Sequence, residues 1–180
     1  MDDIASQLGI SKKTIYQYYT DKDSIVRSLT ELELAFQYGQ MEEIRKTSSN
    51  AVDEMFKVMA CVSGTFCKIT PNLFYDMQKY HPSSWERFHE FKEKSMQTFV
   101  EENLKAGISQ QLYRQDINIK IMAKLRIEQI TMVFNPAIFP PDKYVIRDVQ
   151  LIMLDHFVHG ITTLKGHKLI NKYKHVNEDE

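Results

Sequence analysis

Apolar residues recur at helical spacing from the start of the chain to beyond residue 160, with polar residues on the intervening faces. Ile4, Ala5 and Leu8 form a first short stripe, at i, i+1 and i+4. Gly9 follows, where a helix ends readily in a left-handed residue. Ile10 reads as the apolar plug of the turn and Ser11 as the N-cap of the next helix. There Ile15, Tyr18 and Tyr19 recur at helical spacing, while Lys12, Lys13, Thr14, Tyr16 and Gln17 lie largely on the other faces. Two short amphipathic helices across a glycine turn read as a helix-turn-helix.

The same periodicity divides the rest of the chain. Thr20 is expected to cap a long helix from about Asp21 to Thr47, with Asp23 closing a capping box. That helix carries Ile25, Val26, Leu29, Leu32, Ala35 and Phe36. After the break at Ser48-Ser49-Asn50 comes a stripe of Val52, Met55, Phe56, Met59, Val62, Ser63 and Phe66, which stops before Pro71. A short helix is expected from Asn72 to Tyr80. Ser83 and Glu86 suggest a capping box for the next one, whose buried side is Trp85, Phe88, Phe91, Phe99, Val100 and Leu104, and which Gly107 closes. Residues 108–117 read as a polar loop. Asn118 caps a helix from Ile119 to Phe134. A last helix runs from about Lys143 to Lys165 with Gly166 as its C′ residue, and the tail from His167 is expected to fray. No strand-like alternation persists, so the fold class is all-α. Residues 1–47 form a helix-turn-helix head with its connecting helix, and residues 48–180 a larger helical domain.

Between Ile4 and Lys22 the chain reads I-A-x-x-L-G-I-S-x-x-T-I-Y-x-Y-Y-x-x-K. This resembles the DNA-binding signature of TetR-type transcriptional regulators, over about the first thirty residues. The resemblance implies that the helix Ser11–Tyr18 enters a major groove of double-stranded operator DNA. Lys12, Lys13, Thr14 and Gln17 would face the bases, and Tyr16, Tyr18 and Lys22 would reach phosphates, with Ser11 as the cap. It also implies a ligand-binding core and a homodimer in which the last two helices pair with their copies. In that family another helix precedes this motif, whereas here Met1 stands in or just before the second helix. Ile4, Leu8, Ile15 and Tyr19 are therefore expected to present an apolar face that such a helix would cover, and the chain as written is expected to dimerise but bind DNA poorly. On that ground a second reading stands beside the first: a helical sensor or partner-binding module without DNA-binding activity.

Composition narrows the choice. The 180 residues are 43% hydrophobic and 26% charged, which is globular rather than disordered. The net charge is −1, and in residues 1–30 Lys12, Lys13, Lys22 and Arg27 meet Asp2, Asp3, Asp21 and Asp23. DNA contact must then come from placement on one face, not from bulk charge. There is no signal peptide and no apolar run of bilayer length, so a cytoplasmic protein without a membrane partner is expected. Cys61 and Cys67 read as two ordinary thiols. His156 and His159 share a face, but no third ligand completes a metal site. No cofactor is expected. No nucleophile elbow, phosphate-binding loop or His-Glu-x-x-His occurs, so no enzyme is expected.

Nine Met, ten Phe, nine Tyr and one Trp are many for this length. Most must pack a core. Some are expected to line a small-molecule pocket: Phe56, Met59, Phe66, Phe74, Met77, Trp85, Phe88 and Met122, with Arg126 as an anchor for an acid. The last two helices have apolar residues on more than one face, so a twofold partner is expected along Ile130, Val149, Met153, His156, Phe157, Gly160 and Leu164. The function expected from all this is a dimeric sequence-specific repressor released by a small apolar or aromatic effector.

Overall fold

Gly9 turns the first corner of the chain. Helix α1 (Asp2–Leu8) ends there at φ 64°, and the Gly9 and Ile10 N–H groups donate to the Ser6 and Ala5 carbonyls, a paired closure that left-handed glycine permits. Ile10 itself is 42% exposed, so backbone bonds rather than an apolar plug hold the turn. Ser11 caps α2 (Lys12–Tyr16), its Oγ accepting the Thr14 N–H at 3.0 Å. Ala5 and Ile15 are buried where the two helices meet. The computed structural model describes residues 1–66 and 72–174, without the side chains at 62, 63, 65 and 66. Expectations placed on Val62, Ser63, Phe66, Cys67, Pro71, His175 and the acidic terminus lie outside the described residues.

The long helix α3 (Lys22–Thr47) is capped by Asp21, not Thr20. Asp21 Oδ1 accepts the Ser24 N–H at 2.7 Å, and the Asp21 N–H donates to Ser24 Oγ at 3.2 Å. A carboxylate outdoes a hydroxyl at a helix N-terminus because its charge meets the aligned N–H dipoles. The same bond from the Ser24 N–H holds the Asp21 carboxyl below the usual carboxylate range. Helices α4 (Ala51–Phe66) and α5 (Leu73–Tyr80) follow. Helix α6 (Pro82–Phe91) starts at Pro82 with His81 as N-cap, so Ser83 lies inside the first turn instead of capping it. The fixed φ of proline suits that first position.

One continuous helix was expected here. Instead α6 passes through a π-helical turn, Lys92–Met96, into α7 (Gln97–Ser109). Lys92 on that turn is buried and reaches Glu128 Oε2 at 3.1 Å, while Lys124 holds Glu93 at 2.7 Å. These pairs fasten the turn to α8 (Ile119–Met132), which Asn118 caps by accepting the Ile121 N–H.

Gly107 does not close α7; it is buried inside it. A Cβ there would lie 2.0 Å from the Tyr113 ring. The stretch read as a polar loop thus hides Leu112 and Tyr113 completely or nearly so. The Tyr113 hydroxyl sits 2.9 Å from the Ala51 carbonyl and 3.0 Å from Asn103 Oδ1. Burial raises its pKa well above that of an ordinary phenol.

The last helix is also two. Helix α9 (Ile146–Ile161) ends at an extended Thr162, and α10 (Leu164–Lys174) takes up residues expected to fray. The break is held by pairing with the 112–114 segment: Thr163 N–H donates to the Leu112 carbonyl and Arg114 N–H to the Ile161 carbonyl, both at 2.9 Å. Gly166 is not a C′ residue but a buried point of close approach, where a Cβ would stand 2.3 Å from the Leu112 oxygen. The main core brings together Val52, Met55, Leu104, Ile127, Leu154 and Ile161 from α4, α7, α8 and α9. Among the described residues the fold is all-α, with one isolated bridge between Tyr113 and Thr162. None of these helices is long and apolar enough to cross a membrane.

Candidate functional site

Helix α2 turns Ile15 inward and leaves Lys12, Lys13, Tyr16 and Gln17 exposed. Ser11, Tyr18 and Lys22 are exposed beside them, and Thr14 is half-buried with its Oγ1 2.8 Å from Ser11 Oγ. Lys12 pairs with Asp2 at 2.5 Å, which holds the Asp2 carboxyl below its ordinary range. Both are open to solvent, so the attraction between them is screened and weak. Of the apolar face expected to need a cover, Ile15 is buried, Ile4 and Tyr19 are half-buried and Leu8 is 63% exposed.

A cavity of about 430 Å³ lies between α3 and the helices below it. Val26, Leu29, Met41 and Ile44 of α3 form one wall. Phe74, Met77 and Phe88 form another, with Met55, Phe99, Val100, Ile127 and Gln150 closing the interior. Of the residues expected at a pocket, Phe74, Met77, Phe88 and Arg126 share this one cavity. Trp85 backs the wall, its ring 6.2 Å from Phe74 and 5.7 Å from Phe88. Phe56, Met59 and Met122 do not line the cavity; they pack against the main core, Phe56 with its ring 5.2 Å from Tyr173. The α3 wall was missed, although Met41 and Ile44 continue that helix's apolar spacing past Phe36.

Arg126 is 3% exposed, and burial alone brings its guanidinium down to about 10. It donates from Nη1 to Gln129 Oε1 at 3.4 Å. Gln150 donates to the Ile130 carbonyl at 2.9 Å, and its own buried Oε1 has no partner among the described residues.

Helix α3 is tied to the far side of this cavity. Asp23, in its first turn, accepts from His81 Nδ1 at 2.8 Å at the corner between α5 and α6. One turn of α6 further, Arg87 donates to Glu31 at 2.7 Å and also pairs with Glu90. The guanidinium of Arg87 holds the Glu31 carboxyl below its usual range.

The surface expected to meet a second copy needs correction. Val149 and Phe157 are buried in the chain's own clusters, Ile130 lines the cavity, and Met153 packs beside Val133 and Val149. His156 and Gly160 are exposed on α9, and Leu164, 84% exposed, starts α10 instead of continuing α9. The outward apolar residues are Ile121 and Leu125 on α8 and Ile152 on α9. Ile152 leads the i, i+4 row through His156 to Gly160, the signal that was available in the sequence. His159 Nδ1 meets the Asp155 carbonyl at 2.8 Å, and among the described residues no three candidate ligands gather around one point.

Residues 1–29 match the sequence model of the bacterial regulatory proteins of the tetR family. An uncharacterized HTH-type transcriptional regulator of Bacillus subtilis (strain 168), YvaF, is 24% identical over 167 residues, spanning 90% of this chain and 85% of its own. The crystal structure of a TetR-family regulator from Agrobacterium tumefaciens superposes with a TM-score of 0.73 at 14% identity, over 90% of this chain and 86% of that one. The head thus matches the TetR family's sequence model, and the described residues have the fold of TetR-family regulators. FadR from Bacillus subtilis, solved in complex with stearoyl-CoA, shares that TetR fold with a TM-score of 0.62 at 20% identity, over 89% of this chain and 87% of its own. The relatives named here are transcriptional regulators, not enzymes.

Proposed function

We propose that this chain is a dimeric, sequence-specific DNA-binding repressor of the cytoplasm, released from its operator by an apolar or aromatic small molecule. The observation that carries the reading is that α3 belongs to both working parts. Its first turn follows the head directly, and its middle forms a wall of the cavity. In this reading residues 1–47 are the head and its stalk, and residues 48–180 the sensing and dimerising domain. Exposed Lys12, Lys13 and Gln17 and half-buried Thr14 serve the groove, with Tyr16, Tyr18 and Lys22 on the backbone and Ser11 holding the helix start. The cavity is within the usual range for a drug-sized molecule, about 300–1,000 Å³. A protein with the same fold was solved with stearoyl-CoA, whose long acyl chain supports an effector with an apolar body.

Gel shifts with DNA from the chain's own promoter region test the proposal. In a chain extended by a helix that covers Leu8 and Tyr19, Gln17→Ala should change sequence preference at one base pair by about 1–3 kcal/mol. Lys22→Ala should weaken all sequences alike and flatten the salt dependence by about one unit. Equal loss of preference in both variants would count against these roles, and no shift even at low salt would leave a sensor module without DNA binding.

The Asp23–His81 clasp supplies the coupling. An effector that spreads Phe74 and Phe88 moves the α5–α6 corner, and the corner draws the first turn of α3 with it. Such coupling needs unequal binding to two states. In His81→Ala an effector should still bind, as a thermal shift reports, while its effect on operator affinity shrinks severalfold. Undiminished release in that variant would place the coupling elsewhere.

A further inference from the structure

A buried guanidinium carries a desolvation cost that a carboxylate partner normally offsets. Arg126 has none among the described residues: its one hydrogen bond is the 3.4 Å contact with Gln129 Oε1. The carboxylates of its own helix and of the π-helical turn are committed elsewhere, Glu128 to Lys92 and Lys124 and Glu93 to Lys124. Glu33, the other charged residue lining the cavity among the described residues, is exposed and accepts from Gln37 at 2.8 Å. A lone cation thus stands in the wall of an otherwise apolar space. At about 10 its guanidinium still carries its proton at neutral pH.

We propose that Arg126 is the seat of an anionic head group and that the cavity takes an apolar monocarboxylic acid. The planar carboxylate lies on the guanidinium fork, and its hydrocarbon or aromatic body packs on Phe74, Met77 and Phe88. This rests on the reading of the cavity as the effector site. Two parallel N–H···O bonds match a carboxylate in shape, and one negative charge matches one positive charge. A phosphate ester would bring a second charge into the interior with nothing to meet it.

The test uses the full chain and matched probes: dodecanoic acid against dodecanol and dodecyl phosphate, and naphthaleneacetic acid against its methyl ester. Binding is read by calorimetry near neutral pH. The acid of at least one set should bind about ten- to a hundredfold more tightly than its neutral counterpart. Arg126→Gln should bring the two to the same affinity, and Arg126→Lys, which keeps the charge but not the fork, should fall between. If Arg126→Gln does not fold, the wild-type comparison of acid with neutral probe decides by itself. Equal affinity for acid and neutral probe in the wild type, tighter binding of the phosphate, or an acid preference that survives in Arg126→Gln would overturn the anchor while leaving the cavity reading intact. Binding of no probe at all would overturn both together.

Discussion

Gly107→Ala should destabilise the fold by about 3 kcal/mol or more, from overpacking joined to a broken buried hydrogen-bond set. The added methyl would stand 2.0 Å from Tyr113 Cδ2 and 2.3 Å from Cε2. The ring is fully buried and cannot swing outward without giving up its hydroxyl's contacts with the Ala51 carbonyl and Asn103 Oδ1. That is a large share of the roughly 5–15 kcal/mol that holds a domain. At about 2–4 °C per kcal/mol for a chain of this size, the melting temperature should fall by about 6–12 °C. Gly39→Ala is the contrast. Nothing lies within 4 Å of a Cβ there, and alanine in an exposed helix interior gains about 0.5–1 kcal/mol over glycine. Equal melting temperatures for the two variants would show that Tyr113 is not seated on Gly107.

Ile152→Glu should separate the proposed dimer without unfolding its protomers. Ile152 is 69% exposed in the single chain, on the same side of α9 as His156 and Gly160. A glutamate there meets water in the monomer but would bury an unpaired charge in a twofold seam. Sedimentation should change from dimer to monomer while helicity and melting of the protomer persist. Operator affinity should fall by about 10²–10⁴, because two linked heads no longer bind as one. Phe157→Glu should behave differently, since Phe157 is 3% exposed and belongs to the chain's own core; that variant should fail to fold. A wild-type chain that sediments as a monomer at micromolar concentration would dispose of the seam altogether.

What was legible in the sequence was local. The Gly9 corner and the Ser11 and Asn118 caps depend on residues within a few positions of one another, and all three stand in the structure as read. Gly107 and Gly166 look like helix terminators by the same local logic. Their role depends instead on Tyr113 and Leu112, which reach them through tertiary packing. Periodicity located the apolar stripes of α9 but gave no means of telling the stripe that fills the chain's own core from the one left outside. Hence Val149 and Phe157 were placed at a seam and Ile152 was passed over. The cavity was half legible for a similar reason. Phe74, Met77, Phe88 and Arg126 followed from residue type, whereas the α3 wall was hidden because that helix had already been given another task. Phe56, Met59 and Met122 share the composition of the lining residues, and only packing distinguishes them.

That double task of α3 has a thermodynamic consequence. In the proposed repressor α3 is both a wall of the effector's chamber and the stalk of the DNA-binding head, and an effector that binds the two states unequally is felt at both. Whatever factor the effector takes from operator affinity, the operator must take from effector affinity, because the two binding events close one cycle. In the proposed repressor, free protein therefore answers to lower effector concentrations than protein already seated on its operator. The threshold for switching a gene on is then set by the DNA as well as by the cavity, and a weaker operator makes a more sensitive sensor of the same chain.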